Sequence, residues 1–323
     1  MSIKFGFYGF RHSHIFSLYQ RVKDHAETEI AAAYEADDNA RKAAEAQGVV
    51  FNCDTPEEFF NTPQLDVVAI GGAYGDRADV VIKALKAGKH VISDKPFCIT
   101  PEKLDEIEKI ITEKKAVLGC MFDLRTAPNF HTAQQLIRSG KIGEVSAIQF
   151  NGMHPLNYGV RPAWYFEKNM HGGTINDIAI HLFDLLPGLT GNGVKNILSA
   201  QGGNFNFPQE PHFSNRGVLL LELENGAYVS GDVSYFAQNF ADSAYWRFSI
   251  WGTAGSMEFN YNDPGVKLTV GGESQIIQPV AVPSDYFDAF LSELAGTPAT
   301  PCTQEILKTA RLALNAQLKA NKI

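Results

Sequence analysis

Two short stretches carry side chains whose type and spacing suit chemistry. In "GGTINDIAIHLFD" (172–184), Asp177 and His181 lie four residues apart, and on a helix that spacing puts both on one face. Asp184 continues the same stripe a turn further on. A histidine there can accept a proton near neutral pH, and an aspartate beside it can hold the imidazole or a substrate hydroxyl in place. In "GFYGFRHSHI" (6–15), a strand runs into a turn at Gly9 and then into a helix. That is where a dinucleotide-binding unit places its G-x-G-x-x-G turn, but the second and third glycines are replaced by Arg11 and His14. Glu35, at the end of the next strand, stands where a carboxylate would meet a ribose diol. From these residues alone the turn reads equally well as a plain strand-to-helix connection with a solvated arginine and surface histidines.

The elements that must position these groups fall into two halves with different patterns. Up to residue 122, strand-like runs (3–8, 29–34, 49–52, 67–71, 90–93, 116–121) alternate with helical patterns (14–23, 38–47, 78–87, 101–114). Continuous apolar strands alternating with helices predict an α/β Rossmann domain with a parallel sheet covered on both faces. After a helix over 127–139 the pattern changes. Strands at 145–152, 217–224, 227–236, 245–252 and 256–260 predict an α+β domain (123–323) with a large, open-faced, mostly antiparallel sheet. Asn225–Gly226 supplies a hairpin turn between two of them. Helices are expected at 175–186, 286–294 and 304–320.

Composition narrows the function classes. The 323 residues are 45% hydrophobic and 20% charged, ordinary for globular domains. A formal charge of −8 argues against a nucleic-acid partner, and the sequence has no apolar run of spanning length, which argues against a membrane. The N-terminus enters a strand at once, without a cleavage-site pattern, and Cys53, Cys98, Cys120 and Cys302 are scattered; a cytoplasmic protein with reduced thiols is the expectation. The histidines form no H-x-x-x-H pair, so no metal is expected. Strands with apolar residues on both faces, such as "GVLLLELE" and "YWRFSIWG", point to a homodimer or homotetramer through the second sheet.

Three landmarks in order carry a family resemblance. "ALKAGKHVISDKPFCITPEKL" (84–104), "GKIGEV" (140–145) and "GGTINDIAIHLFD" resemble conserved segments of the glucose–fructose oxidoreductase / inositol dehydrogenase / MocA (GFO/IDH/MocA) family. The resemblance implies an NAD(P)-dependent dehydrogenase that moves hydride between nicotinamide and a secondary hydroxyl of a sugar, polyol or similar compound. It implies catalytic roles for Lys95, Asp177 and His181, and a cis peptide at Lys95–Pro96. Cofactor contacts are expected from Gly9, Phe10, Arg11, His12, Glu35, Asp94 and Lys95, with NAD preferred and NADP as the variant. Arg125, His154, Tyr158, Arg161 and Trp164 lie in segments expected to line the substrate site. This chain departs from the family at the glycine turn, at Asp94 where glutamate is usual, and at "GGAYGDRAD" (71–79), which puts Arg77 near a usual histidine. Two alternatives stay open: a redox-neutral, NAD-dependent glycosidase or lyase of the same fold, and a non-catalytic dinucleotide or ligand sensor. Retention of Lys95, Asp177 and His181 favours the dehydrogenase.

Overall fold

The computed structural model describes residues 2–321, and the chain divides into two compact units. The first takes the chain up to Met121 together with Asn169–Gly172 and Tyr286–Lys308; the second takes Phe122–Lys168, Gly173–Asp285 and the chain from Thr309 onward.

In the first unit the order is β1 (Ile3–Phe10), α1 (His14–Asp24), β2 (Thr28–Tyr34), α2 (Asp38–Glu45), α3 (Pro56–Phe60), β3 (Val67–Gly71), α4 (Tyr74–Lys86), β4 (His90–Ser93), α5 (Pro101–Lys114) and β5 (Leu118–Cys120). The strands form one parallel sheet in the order β2-β1-β3-β4-β5. Every residue of β3 is buried, as a strand covered on both faces requires. Phe5, Phe7, Ile15, Leu18 and Val22 centre the core, and Phe287 and Phe290 join it. The α/β class predicted from alternation is therefore observed.

Val49–Asn52 forms no strand. Its apolar pattern arises because Val49 is buried, while the Asn52 side chain accepts from Ala33 N and donates to Ala31 O, both at 2.9 Å. A side-chain amide thus does at β2 what a neighbouring peptide would do in a ladder. Helix α4 starts at Tyr74, four residues before the apolar period shows it, and α3 is set by a Thr55–Glu58 capping box with Pro56.

The second unit contains α6 (Pro128–Arg138), β6 (Val145–Pro155), α7 (Ile180–Thr190), β7 (Val194–Gly203), β8 (Arg216–Leu223), β9 (Tyr228–Ala237), β10 (Arg247–Gly252), β11 (Gly255–Phe259), β12 (Val266–Val270) and β13 (Glu273–Ile277). Its eight strands run in the order β13-β12-β11-β10-β6-β9-β8-β7; β6 and β9 pair in parallel and the other neighbours antiparallel. Strand β8 alternates exposed and buried residues, so one sheet face packs and the other is open. The Asn225–Gly226 turn joins β8 to β9, with Gly226 at φ +86°. Helices α8 (Tyr286–Leu294) and α9 (Thr303–Ala320) close the chain. Strands β7, β12 and β13 were not expected; each is short or has polar residues on its exposed side, so its pattern is weak.

Candidate active site

In the first unit β1 passes, one residue before its end, through Gly9, whose φ is +86° and whose missing Cβ would lie 2.8 Å from the Gly72 backbone. Only glycine suits both conditions. The close helix–strand approach that the third glycine of a dinucleotide turn would permit is supplied from the neighbouring strand: a Cβ on Gly71 would sit 2.5 Å from Ile15 Cβ. His14 is thereby released from that duty, and its Nδ1 lies 3.0 Å from Asp94 Oδ1. Arg11 N and His12 N both donate to Gly71 O (2.9 and 3.2 Å). The Arg11 side chain turns to Asp37, 3.7 Å away.

Glu35 is buried, and its two oxygens accept from Phe10 N (2.5 Å) and Asp37 N (2.8 Å). It ties the end of β2 to the turn after β1, and Asp37 in turn caps α2 by accepting from Ala40 N. Arg41 pairs with Asp54 and stacks on Phe51. Gly9, the acid at the end of β2 and the N-terminus of α1, which lacks a side-chain cap at Ser13, fit a dinucleotide. Those residues would hold NAD.

Lys95 is 5% exposed, lies two residues past the end of β4 and is joined to Pro96 by a cis peptide, as expected. Its carbonyl accepts from Arg77 Nη1 at 2.8 Å and its amide donates to Asp94 Oδ1 at 2.8 Å. Arg77, which sequence reasoning passed over as a departure, is fully buried; Nε donates to Gly72 O and Nη2 to Asp94 Oδ2, both at 2.8 Å, and Nη1 reaches Pro96 O at 3.2 Å. Its guanidinium also lies over the Tyr74 ring. Burial opposes charge on Asp94, but Arg77 and then His12 and His14 outweigh it, so the carboxyl is held well below the usual range. Burial also lowers the His12 imidazole to about 4 against the opposing pull of Asp94, leaving it neutral at pH 7. His12, His14 and Asp94 bring their donor atoms within 4.8 Å of one another, a grouping that could ligate a metal; here Arg77 already neutralises the shared carboxylate.

In the second unit, residues 175–179 form a π-helical turn that passes into α7 at Ile180. The α-helical spacing assumed for Asp177 and His181 is thus modified by a wider turn, a feature common at functional sites. Gly173 precedes it at φ +93°; a Cβ there would meet the Gln317 carboxamide at 2.2 Å. That carboxamide accepts from Ile175 N and Asn176 N, capping the turn from α9. Asp177, His181 and Asp184 are all at most 4% exposed, so the stripe is not a solvated helix face.

Asp177 accepts hydrogen bonds from the hydroxyls of Tyr235 and Tyr165. Burial, reinforced by the Asp177 charge, pushes the Tyr235 phenol well above its ordinary range, so it serves as a donor. Neither tyrosine was singled out from the sequence. His181 sits among Phe122 and Trp246, and its Nδ1 is 3.8 Å from Asp123, beyond hydrogen-bond range.

Of the five residues expected to bind substrate, Arg125 grips Asp184 with two donors at 2.8 and 2.5 Å. Arg161 donates to Leu156 O and stacks on Tyr165 and Tyr235. Trp164 is buried against Tyr165, His154 packs among Phe240, Tyr245 and Trp246, and Tyr158 is half exposed with its hydroxyl on Glu210. Arg161, with Tyr165 and Tyr235, thus forms a wall behind Asp177.

Comparison with known proteins agrees with this architecture. Residues 3–122 match the model of the oxidoreductase family with an NAD-binding Rossmann fold, and residues 130–258 match the GFO/IDH/MocA C-terminal domain. A levoglucosan dehydrogenase of Pseudarthrobacter phenanthrenivorans is 27% identical over 246 residues, 69% of this chain and 62% of that one. An inositol 2-dehydrogenase of Rhizobium meliloti is 28% identical over 151 residues, 46% of this chain and 44% of its own. Both matches span less than two thirds of the relative. A crystal structure from Erwinia carotovora atroseptica superposes with a TM-score of 0.89 at 27% identity, covering all of both chains. A levoglucosan dehydrogenase in complex with NADH superposes at 0.81 and 19% identity over 100% of this chain and 98% of that one. With both of its domains matched, this chain belongs to the GFO/IDH/MocA oxidoreductase family and carries its NAD-binding Rossmann domain.

Proposed function

We propose that the chain is an NAD-dependent dehydrogenase acting on a secondary hydroxyl of a sugar, anhydrosugar or polyol, with Lys95, Asp177 and His181 as its catalytic residues. The observation that carries this reading is the burial of Asp177 and His181 on one π-to-α helix, with Tyr235 and Tyr165 donating to the aspartate. Ionisable groups are placed out of water at a cost, and such groups concentrate where chemistry is done.

Bound NAD would supply the hydride acceptor. His181, set in an aromatic pocket, accepts the hydroxyl proton as the carbon–hydrogen bond breaks. Lys95 stabilises the oxygen as negative charge develops on it. Asp177, its carboxylate fixed by two tyrosines, orients either the imidazole or a neighbouring hydroxyl. Names of the relatives support the substrate class: levoglucosan, an anhydrosugar, and inositol, a cyclic polyol, each present secondary hydroxyls on a ring. NAD is preferred over NADP, because Glu35, Asp37 and Asp38 crowd negative charge where a 2′-phosphate would sit.

The test is absorbance at 340 nm with purified protein, NAD or NADP, and a panel of inositols, aldoses and anhydrosugars. Reduction of NAD by at least one compound is expected. Product formation without any change at 340 nm would replace this reading with the redox-neutral one, and dinucleotide binding without turnover on any compound would favour a sensor.

A further inference from the structure

The two departures at Arg77 and Asp94, and His14 in place of one of the missing glycines, meet in one cluster of the first unit. Arg77 reaches acceptors on the segments that follow β3 and β4: Gly72 O on one, Lys95 O, Pro96 O and Asp94 Oδ2 on the other. In open α/β sheets the ends of adjacent parallel strands are where ligands bind. Asp94 in turn gathers three donors and a fourth nitrogen packed beside it. Oδ2 accepts from Arg77 Nη2 at 2.8 Å and lies 2.7 Å from His12 Nδ1, which is not aligned for a hydrogen bond; Oδ1 takes His14 Nδ1 and Lys95 N, at 3.0 and 2.8 Å. A carboxylate has about four lone-pair sites; three are taken and His12 packs against the remainder, so its oxygens are turned to protein groups. Asp94 is therefore a holder of other groups, and the contact to cofactor expected of it passes to the residues it holds.

We propose that Arg77 is a positioning residue that, through Asp94, shapes the dinucleotide turn at 11–14 and the peptide presenting Lys95, so that cofactor affinity depends on a guanidinium held within the protein. The inference about the turn rests on the NAD-binding domain; the part concerning Lys95 rests on the catalytic role proposed above. With a conventional glycine turn, backbone shape alone would define the phosphate site. Here two histidines define it by anchoring to a carboxylate, and that carboxylate stays ionised inside the protein because Arg77 balances it. His14 reaches Asp94 through Nδ1, and His12, neutral at pH 7, lies against the same carboxylate.

Around Asp94 lie Arg77 from α4, His12 and His14 from the β1–α1 turn, and Lys95; Tyr74 is next to His12, and His171 next to Tyr74. If Arg77 becomes neutral, the nearest groups able to restore the lost positive charge are His12 and His14, and they do so only by taking up a proton. Cofactor binding in such a variant should therefore improve as pH falls, whereas a general loss of packing would weaken it alike at every pH.

The experiment is NADH titration by fluorescence in the binary complex, at pH 6, 7 and 8, for wild type, Arg77→Met and Arg77→Lys. Wild type should be nearly flat with pH. Arg77→Met should bind about 30-fold more weakly at pH 8 and recover to within about fivefold at pH 6, the scale expected when a buried ion pair is broken and then partly replaced. Arg77→Lys keeps a charge on Asp94 but lacks the fork that reaches Gly72, Lys95 and Pro96 together; it should lose about tenfold with little pH dependence. Should Arg77→Met fail to fold, the lysine variant decides. Affinity within threefold of wild type in either variant, or an equal loss for Arg77→Met at pH 6 and pH 8, overturns the proposal. Absence of NADH binding by wild type would instead overturn the cofactor reading of this chain, and a catalytically dispensable Lys95 would leave the turn proposal standing.

Discussion

At the scale of single residues, the dehydrogenase reading separates groups that touch substrate from groups that hold cofactor. His181→Ala should lower turnover on the best substrate by about 10²–10⁴-fold, the usual contribution of a positioned acid–base group, while NADH affinity changes by less than about threefold. Arg11→Ala should do the reverse, since Arg11 lies on the dinucleotide turn and leans on Asp37 rather than on catalytic groups. Stopped-flow turnover together with fluorescence titration distinguishes the two; full turnover by His181→Ala would remove the proposed base. The same turn sets cofactor choice. NADPH should bind at least about tenfold more weakly than NADH in calorimetry, because a 2′-phosphate would meet Glu35 and Asp37, with Arg11 already paired to Asp37 and Arg41 to Asp54. Equal affinities would mean that Arg11 leaves Asp37 for the phosphate.

At the scale of elements, Gly173 and Gln317 form one device. Gly173→Ala must strain a left-handed φ and displace the carboxamide that caps residues 175 and 176, costing about 2–3 kcal/mol in urea unfolding. Gln317→Ala removes that cap, and the double variant should be less destabilised than the sum, since alanine at 317 clears the clash. Additive losses would show that the two act separately. This device marks where sequence reasoning stopped. Gly-Gly before Asp177 was legible as a landmark, but its partner lies 144 residues away in the closing helix, and no local pattern links them. The same holds for Tyr235 and Tyr165, whose hydroxyls meet Asp177 only through tertiary packing, and for the π turn, which leaves no periodic trace over five residues. Elements with strong local grammar were readable: the parallel strands by their continuous apolar runs, the Asn225–Gly226 hairpin by its turn residues, the Lys95–Pro96 bend by resemblance. Val49–Asn52 misled because a buried valine beside a side-chain amide imitates a short strand.

At the scale of the whole molecule, the open face of the eight-stranded sheet asks for a covering. Register sets the exposed side chains in rows: Trp251, Ala147, Tyr228 and Glu222 lie across β10, β6, β9 and β8, and Leu220 and Val218 follow on the same face. Trp251, Tyr228, Val218 and Phe236 are each more than 40% exposed. Such side chains gathered on one sheet face are typical of an interface rather than a solvated surface. We propose that a second copy of the chain covers this face, giving a homodimer or a homotetramer, since a self-complementary patch closes with two-fold symmetry. Light scattering at micromolar concentration should give a mass two or four times that of the chain. Tyr228→Lys with Trp251→Lys places two like charges in the row and should shift the protein toward monomer, leaving the far-ultraviolet circular dichroism unchanged because both side chains point away from the packed face. NADH titration should survive in that monomer, because the residues proposed to hold the dinucleotide belong to the other unit. A wild-type monomer at these concentrations would leave the face as bare surface and end the proposal.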